Sequence, residues 1–242
     1  MTNRLAMFLG LSLTVTVAQL RAQEGPRQPF EATVSQHVSF AAGGTVRIEN
    51  SYGYLTVEGW DEPEVEISVT KSTDSFYKPD HMQQAVGRLD RVRVSTEPRS
   101  GKEFVISTNP ARGKLLVVSW PFPRKRGVTA EYKIHVPRDS RLEIHHDNGY
   151  IWVSDVTGDI QIGSHTGDMI VALPVPGSYS IDAKTGMGSI YSDFVGKGNK
   201  LFLVGSHFGY TDQSQARQVR LRMGRGCISI LNGPPSGPSW KN

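Results

Sequence analysis

Cysteine is nearly absent from the chain. The 242 residues include a single cysteine, Cys227, which cannot form a disulfide within one chain. Small exported scaffolds that depend on several disulfides are thereby excluded. The protein must bury an apolar core of its own, and about 220 residues are enough for one large β domain or two smaller units.

Long apolar runs are missing after the first two dozen residues. Arg4 precedes a mostly apolar run over 5–17, and small residues follow at Ala18 and Ala22. This run is shorter than the roughly 18 residues that a spanning helix needs, and it is typical of a secretory signal peptide. We predict a signal peptide over residues 1–22, cleaved after Ala22 or Ala18, with retention as a membrane anchor as the alternative. The mature chain should have no integral membrane span and be exported to the periplasm or the cell surface.

An excess of one charge is missing too. The formal net charge is +4, and loss of Arg4 and Arg21 with the signal peptide leaves 4 − 2 = +2. Acidic and basic residues are interspersed, whereas nucleic-acid-binding domains concentrate basic residues on one face. We therefore expect no nucleic-acid partner. The one dense basic cluster, PRKRG at 123–127, is expected to be a solvated loop, with a basic contact patch as the alternative.

Catalytic motifs are also absent. The chain contains no G-x-S-x-G elbow, phosphate loop or dinucleotide fingerprint. His145 and His146 are consecutive in a predicted strand, so they should point to opposite faces and cannot share a metal. Aspartates cluster at predicted turns, which favour this residue: Asp147, Asp155, Asp159 and Asp168. We expect no enzyme activity, metal or cofactor; the lesser alternative is a carbohydrate-active enzyme that uses two such carboxylates about 5–9.5 Å apart.

Alternating apolar and polar residues dominate the rest of the chain. EVEISVT, DRVRVST, EFVIS, KLLVVSW and AEYKIHV predict strands separated by turn residues. One stretch, DHMQQAVGRL, predicts a short helix. In this helix Asp80 is a capping residue, and Met82, Val86 and Leu89 share one face.

Glycines recur at regular intervals in the second half. Three lie 21 residues apart and a fourth lies 18 residues earlier: Gly149, Gly167, Gly188 and Gly209. Positions two and four after such glycines are commonly apolar, and the same rule holds after Gly226 and, in the early segment SYGYLTVEGW, after Gly53. A recurring unit of about 20 residues with two short strands is typical of a solenoid. Glycine at each corner permits a positive φ and close approach of neighbouring backbones.

We therefore predict an all-β fold. Residues 139–232 should form a β-solenoid-like stack of short, glycine-cornered strands. Residues 23–138 should form an N-terminal β region with one short helix, which is either separate or continuous with the stack from residue 31. The segment 233–242 is rich in proline and glycine and is expected to be a disordered tail.

These segments resemble the bacterial "putative adhesin" family of exported proteins. The matching residues are GTVRIENSYGYLTVEGWDEPEVEISV, then YKIHVPRDSRLEIHHDNGYIWVSDVTGDIQIGSHTGDM, and finally KTGMGSIY. The resemblance covers residues 31–232 and implies export, a solenoid-like β fold and association with the cell envelope. It implies no catalytic residues.

An outward-facing aromatic stripe is the candidate binding site. If positions two and four after a corner glycine face inward, positions one and three face outward. The third positions include Trp152, Ile170 and Tyr191, and the first positions include Tyr150 and Tyr210. Stacked coils would align these side chains on one face, which either binds a sugar or a protein or is covered by the N-terminal strands and helix.

Together these features predict a non-enzymatic, adhesin-like module that binds a surface glycan or other polymer, or an envelope protein. The alternative is a structural or sensing scaffold of the cell envelope, which forms oligomers by pairing the edges of its stack.

Overall fold

The structure is a computed structural model that describes residues 28–77, 82–100, 102–110, 128–201, 204–212 and 216–233. The predicted signal peptide, the KLLVVSW strand, the PRKRG loop, Asp80 and the tail from residue 234 onward lie outside these residues. The described residues form an almost entirely β structure with one short helix, which confirms the predicted all-β class.

Fourteen strands and one helix occur within these residues. In chain order they are β1 (Gln28–Ser39), β2 (Thr45–Trp60), β3 (Glu64–Tyr77), α1 (Met82–Leu89), β4 (Val92–Ser100), β5 (Glu103–Pro110), β6 (Val128–Pro137), β7 (Arg141–Ser154), β8 (Ile160–Leu173), β9 (Tyr179–Met187), β10 (Ile190–Ser192), β11 (Lys197–Leu201), β12 (Gly205–Thr211), β13 (Arg217–Arg225) and β14 (Ile228–Asn232).

The strands form one large open sheet. Its main order is β1-β3-β6-β2-β7-β8-β13-β9-β12-β11, and β4, β5, β14 and β10 pair beside this path. Pairing is parallel in the middle, from β6 to β9, and antiparallel toward both ends. The parallel middle places equivalent positions of β2, β7 and β8 side by side.

The long strands β2, β7 and β8 each belong to two parts of the sheet, because each bends at a glycine. Before its bend β2 pairs with β5, and after it with β6. In the same way β8 pairs first with β13 and then with β14. We call the two parts the pre-bend sheet, which contains β4, β5, β13, β9, β12 and β11, and the post-bend sheet, which contains β1, β3, β6, β14 and β10.

The two sheets face each other across one apolar core. Buried side chains alternate with solvent-facing ones along β2, and Val46 before the bend and Leu55 after it belong to the same cluster. A buried hydrogen bond also joins the sheets, since Thr108 Oγ1 on β5 lies 2.8 Å from the hydroxyl oxygen of Tyr132 on β6. Removal of both apolar faces from water stabilises the bent arrangement.

A row of five glycines forms the bend, in the spatial order Gly53, Gly149, Gly167, Gly226 and Gly188. The last four have φ between 130° and 138°, a region that L side chains rarely adopt. A Cβ atom added to any of these four would overlap the carbonyl oxygen of the glycine before it in the row. Only glycine therefore permits both the turn and the close approach.

The two similar segments of the sequence are neighbours in this row. SYGYLTVEGW lies in β2 and DNGYIWVSDV begins in β7, and Gly53 pairs with Gly149 and Tyr54 with Tyr150. The predicted inward positions are also confirmed. The side chains two and four places after the bend glycines are buried on four strands: Leu55, Val57, Ile151, Val153, Met169, Val171, Ile228 and Ile230.

A solenoid, in which each coil pairs with the next coil of the chain, is not confirmed. Strands β13 and β14 come last in the chain, yet they lie between β8 and the strands β9 and β10. The predicted corner at Gly209 is wrong, because β12 pairs antiparallel with β9 and a Cβ at Gly209 would meet open space. The hairpin of β11 and β12 interrupts the 21-residue spacing, and the next bend comes at Gly226.

The predicted helix exists, but its buried face differs from the expected one. Ala85 and Leu89, four residues apart, are buried against the sheet. Val86 is 39% exposed, so its predicted place on the inner face is wrong. Lys71 on β3 donates hydrogen bonds to the carbonyl oxygens of Leu89 and Val92, which ties the end of the helix to the sheet.

The glycine row predicts that alanine lowers stability much more at a bend glycine than at a glycine outside the row. We expect Gly167→Ala to lower the free energy of unfolding by about 3 kcal/mol or more, because the added Cβ combines a disfavoured φ with a backbone overlap. The matched control Gly209→Ala should change it by about 1 kcal/mol or less. Urea unfolding measures both values, and equal effects of the two variants would contradict the role of the row.

Candidate functional site

The outer side of the post-bend sheet carries the predicted aromatic residues of β7 and β8. Tyr54 on β2 lies beside Tyr150 on β7, and Trp152 on β7 lies beside Ile170 on β8. We call these four residues the tyrosine face. Tyr54 is 55% exposed and Tyr150 is half-buried, whereas Trp152 is only 7% exposed. The accessible part of the face is therefore the row that directly follows the bend.

Tyr191 does not continue this face directly. It lies on the same side of the sheet, but Ser229 on β14 stands between it and Ile170. The predicted alignment in consecutive coils is wrong here because β14 is inserted between β8 and β10. Tyr191 is 63% exposed and lies apart from the other aromatic residues of the stripe.

Tyr210 is not part of the stripe. It lies on β12 in the pre-bend sheet, opposite Ile181 of β9. Its ring packs against Phe194, with 5.1 Å between the ring centroids, and it is half-buried at the margin of the core. The prediction failed because it assumed that Gly209 is a corner.

Carboxylates flank the two tyrosines of the tyrosine face. Glu131 on β6 pairs with Tyr54, and Asp168 on β8 pairs with Tyr150, so four neighbouring strands present the order Glu131, Tyr54, Tyr150, Asp168. Burial raises the pKa of Tyr150 above its ordinary value, and the negative charge of Asp168 raises it further. The Tyr150 hydroxyl therefore stays protonated at neutral pH and can donate a hydrogen bond.

Sequence reasoning did not assign Tyr54 and Glu131 to the candidate site. Tyr54 follows Gly53 directly, so the rule that places first positions outward could have found it. Glu131 offers no such signal, because β6 has no bend glycine and its position depends on pairing with β2.

The histidines and aspartates considered in the sequence analysis occupy different environments in the structure. His145 is exposed and His146 is buried, as expected for consecutive residues of a strand. His146 Nδ1 lies 2.9 Å from the hydroxyl oxygen of Ser51, and both residues are buried. Asp159 and Asp168 accept hydrogen bonds from the backbone amides of Gln218 and Cys227, which is a structural use of these carboxylates.

A second surface feature lies on the outer side of the pre-bend sheet. On five neighbouring strands, outward-facing positions lie side by side in the order His145, Gly163, Arg222, Lys184, His207. Beside this row is a cavity of about 510 Å³ whose walls include glycines of β8, β9 and β13. We call it the glycine groove: its lining comprises His145, His146, Gly163, Ser164, His165, Lys184, Thr185, Gly186, Arg222, Met223 and Gly224.

Asp182 organises one wall of the groove. Its carboxylate pairs with the guanidinium of Arg222 and lies 3.1 Å from His207 Nε2. Arg222 also donates to the backbone carbonyl oxygen of Asp182 at 2.7 Å. Burial alone would raise the pKa of Asp182, but the hydrogen bond and charge of Arg222 outweigh it, so this pKa lies below its ordinary value. Asp182 therefore stays ionised and holds Arg222 in place.

Within the described ranges, no group of three or more His, Cys, Asp or Glu side chains has the arrangement of a metal site. In the same part of the chain, no helix has the length and apolarity that crossing a membrane requires.

Comparison with known proteins supports the fold. The structure is similar to that of a putative cell adhesion protein from Clostridium sporogenes, with 14% sequence identity and a TM-score of 0.51, over 85% of this chain and 100% of that one. A putative lipid binding protein from Parabacteroides distasonis aligns with a TM-score of 0.25, and a putative adhesin from Bacteroides fragilis with 0.23. Each of these two is 9% identical, and they cover 84% and 83% of this chain and 95% and 96% of their own.

These similarities concern the fold and not the family. No protein-family model and no curated protein sequence matches the chain. At 14% identity the first similarity shows a shared fold alone, and the two lower scores carry no argument about this protein. The predicted resemblance to adhesins is thus supported at the level of the fold, while membership of the family stays a prediction.

The ion pairs of Asp182 predict a pH-dependent stability. The pKa of Asp182 is lower in the folded state than in the unfolded state. Such a carboxyl stabilises the fold at pH values above its unfolded-state pKa, which is near 3.9. The stabilisation is lost as the pH falls through the lower pKa of the folded state. Asp182→Asn should therefore lower the free energy of unfolding at pH 7, by about 1 kcal/mol or less because the pair is partly exposed. Urea unfolding should show a smaller difference at pH 3.

Asp139→Asn is the matched control. Asp139 is exposed and has no ion pair or hydrogen bond within the described part of the chain, so its loss should change stability little at either pH. A constant difference between wild type and Asp182→Asn from pH 7 to pH 3 would contradict the proposed role of the charge.

Proposed function

We propose that the protein is an exported, non-enzymatic, adhesin-like module that binds a surface glycan through the tyrosine face. The observation that carries this proposal is the row Glu131, Tyr54, Tyr150, Asp168 on four neighbouring strands. Export rests on the predicted signal peptide at 1–22. The adhesin-like role draws further support from the Clostridium sporogenes protein, which shares the fold.

The row has the chemistry that a sugar ring requires. Neighbouring strands lie about 4.8 Å apart, so the two tyrosine side chains form a continuous aromatic surface on which the apolar side of a sugar can pack. Tyr54 is exposed and can be reached from solvent. The flanking carboxylates can accept hydrogen bonds from sugar hydroxyls. Lys133 pairs with Glu131, but Asp168 has no such cation among the described ion pairs, so its charge favours a neutral glycan over an acidic one.

The same geometry argues for binding rather than hydrolysis. Glu131 and Asp168 are separated by three strand spacings, which is about 14 Å. A pair of carboxylates that hydrolyses a glycosidic bond stands about 5–9.5 Å apart. Asp168 also accepts a hydrogen bond from the Cys227 amide, which occupies one of its oxygens. These observations favour a site that holds a sugar without cleaving it.

A structural or sensing scaffold is the second candidate. Its supporting observation is β1, a strand of twelve residues that ends the sheet and pairs only with β3 among the described strands. Long edge strands offer unpaired backbone groups to another chain. Association that depends on protein concentration, without glycan binding, would favour this candidate, as would a protein partner recovered through the edge.

The proposal predicts that Tyr54 is required for binding. We expect Tyr54→Ala to weaken binding to a neutral surface polysaccharide by about tenfold, because the exposed half of the aromatic surface is lost. The measurement is calorimetry with a panel of purified neutral and acidic cell-surface polysaccharides and the intact mature protein.

Tyr191→Ala is the matched control for this measurement. Tyr191 is an equally exposed tyrosine on the same side of the sheet, but Ser229 separates it from the tyrosine face. Its removal should leave affinity unchanged. Equal losses in both variants, or no binding of any neutral polysaccharide by the wild-type protein, would contradict the proposal.

A further inference from the structure

The glycine groove combines basic side chains with an open surface that is partly formed by glycine backbone. Lys184, His145 and His165 are exposed along its walls, and none of the three has an ion pair or hydrogen bond within the described residues. The glycines of the lining carry no side chains, so backbone is accessible between the walls. A ligand can therefore approach both the basic groups and the main chain.

The charge balance of the groove is positive. Its lining includes the cations Lys184 and Arg222 and no carboxylate, and the nearby Asp182 carboxylate is already held by Arg222 and His207. Lys184 has no ion pair within the described residues, although its charge also contributes to lowering the pKa of Asp182. Such a surface attracts an anion rather than a neutral sugar.

We propose that the glycine groove binds a phosphate group attached to a polyol or a sugar, either as a single ester or as one unit of a phosphodiester polymer. Lys184 provides the charge, and the ring N–H groups of His145 and His165 can donate hydrogen bonds from the strands on the other side of the groove. Phosphate has several strong acceptor oxygens and matches a set of donors that converge from more than one wall. This site lies on the pre-bend sheet and is distinct from the tyrosine face.

The test measures binding of two probes, glycerol 1-phosphate and poly(glycerol phosphate), to the mature protein by calorimetry. Lys184→Gln should weaken binding by about tenfold, because a charge-assisted contact is lost. Lys184→Arg keeps the charge and should retain most of the affinity. Binding of both probes identifies a single phosphate ester as sufficient, and binding of the polymer alone identifies the phosphodiester chain as the ligand.

Gly163→Leu tests the groove by filling it. A Cβ at Gly163 would make only ordinary contacts, 3.8 Å from His145 Nδ1 and 4.0 Å from the Ile144 carbonyl oxygen, so the variant should fold. The added side chain projects beside Arg222 and should reduce phosphate binding by about tenfold or more. Urea unfolding checks that stability is retained, which separates blocked binding from misfolding.

Lys133→Gln is the control for general electrostatic attraction, since Lys133 is exposed on the post-bend sheet and pairs with Glu131. It should leave phosphate binding unchanged, and so should Tyr54→Ala. The proposal is overturned if neither probe binds, if Lys133→Gln weakens binding as much as Lys184→Gln, or if Gly163→Leu binds as tightly as the wild type. None of these outcomes depends on whether the tyrosine face binds a glycan.

Discussion

The close stacking of glycine backbones is the constraint on which the rest of the structure depends. In the row from Gly53 to Gly188, each carbonyl oxygen occupies the space in which a side chain of the next residue would begin. This packing allows five segments to bend at the same level, and the bend in turn folds one sheet over its own apolar face. The core, the tyrosine face and the glycine groove all take their positions from it.

The bend also explains why two chemically different surfaces occur on one sheet. Before the bend, the outward positions of β13 and β9 carry Arg222 and Lys184. After it, the outward positions of β2 and β7 carry Tyr54 and Tyr150. The two surfaces lie on opposite arms of the same fold, so a basic groove and an acidic-flanked aromatic row can coexist without cancelling each other's charge.

Local sequence patterns allowed part of the fold and part of the candidate site to be predicted. The bend glycines and the inward residues such as Ile151 and Met169 follow from glycine spacing and from alternation, which acts within a few residues. The strand order did not follow, because pairing of β13 between β8 and β9 is decided by contacts between distant segments. The same reason explains the misplaced Tyr210 and the unforeseen groove, whose side chains come from four separate strands. No short stretch of sequence contains that arrangement.

The late insertion of β13 and β14 has a consequence for how the chain folds. Strands β8 and β9 are made first, but the strands that join them come after β12 in the chain. Until those residues are available, β8 and β9 have exposed edges that can pair with other chains. Completing the sheet then requires contacts between residues that are far apart in the sequence, and such contacts form slowly. A protein of this topology completes its sheet only after its last strands emerge, and it benefits from being kept unfolded until then.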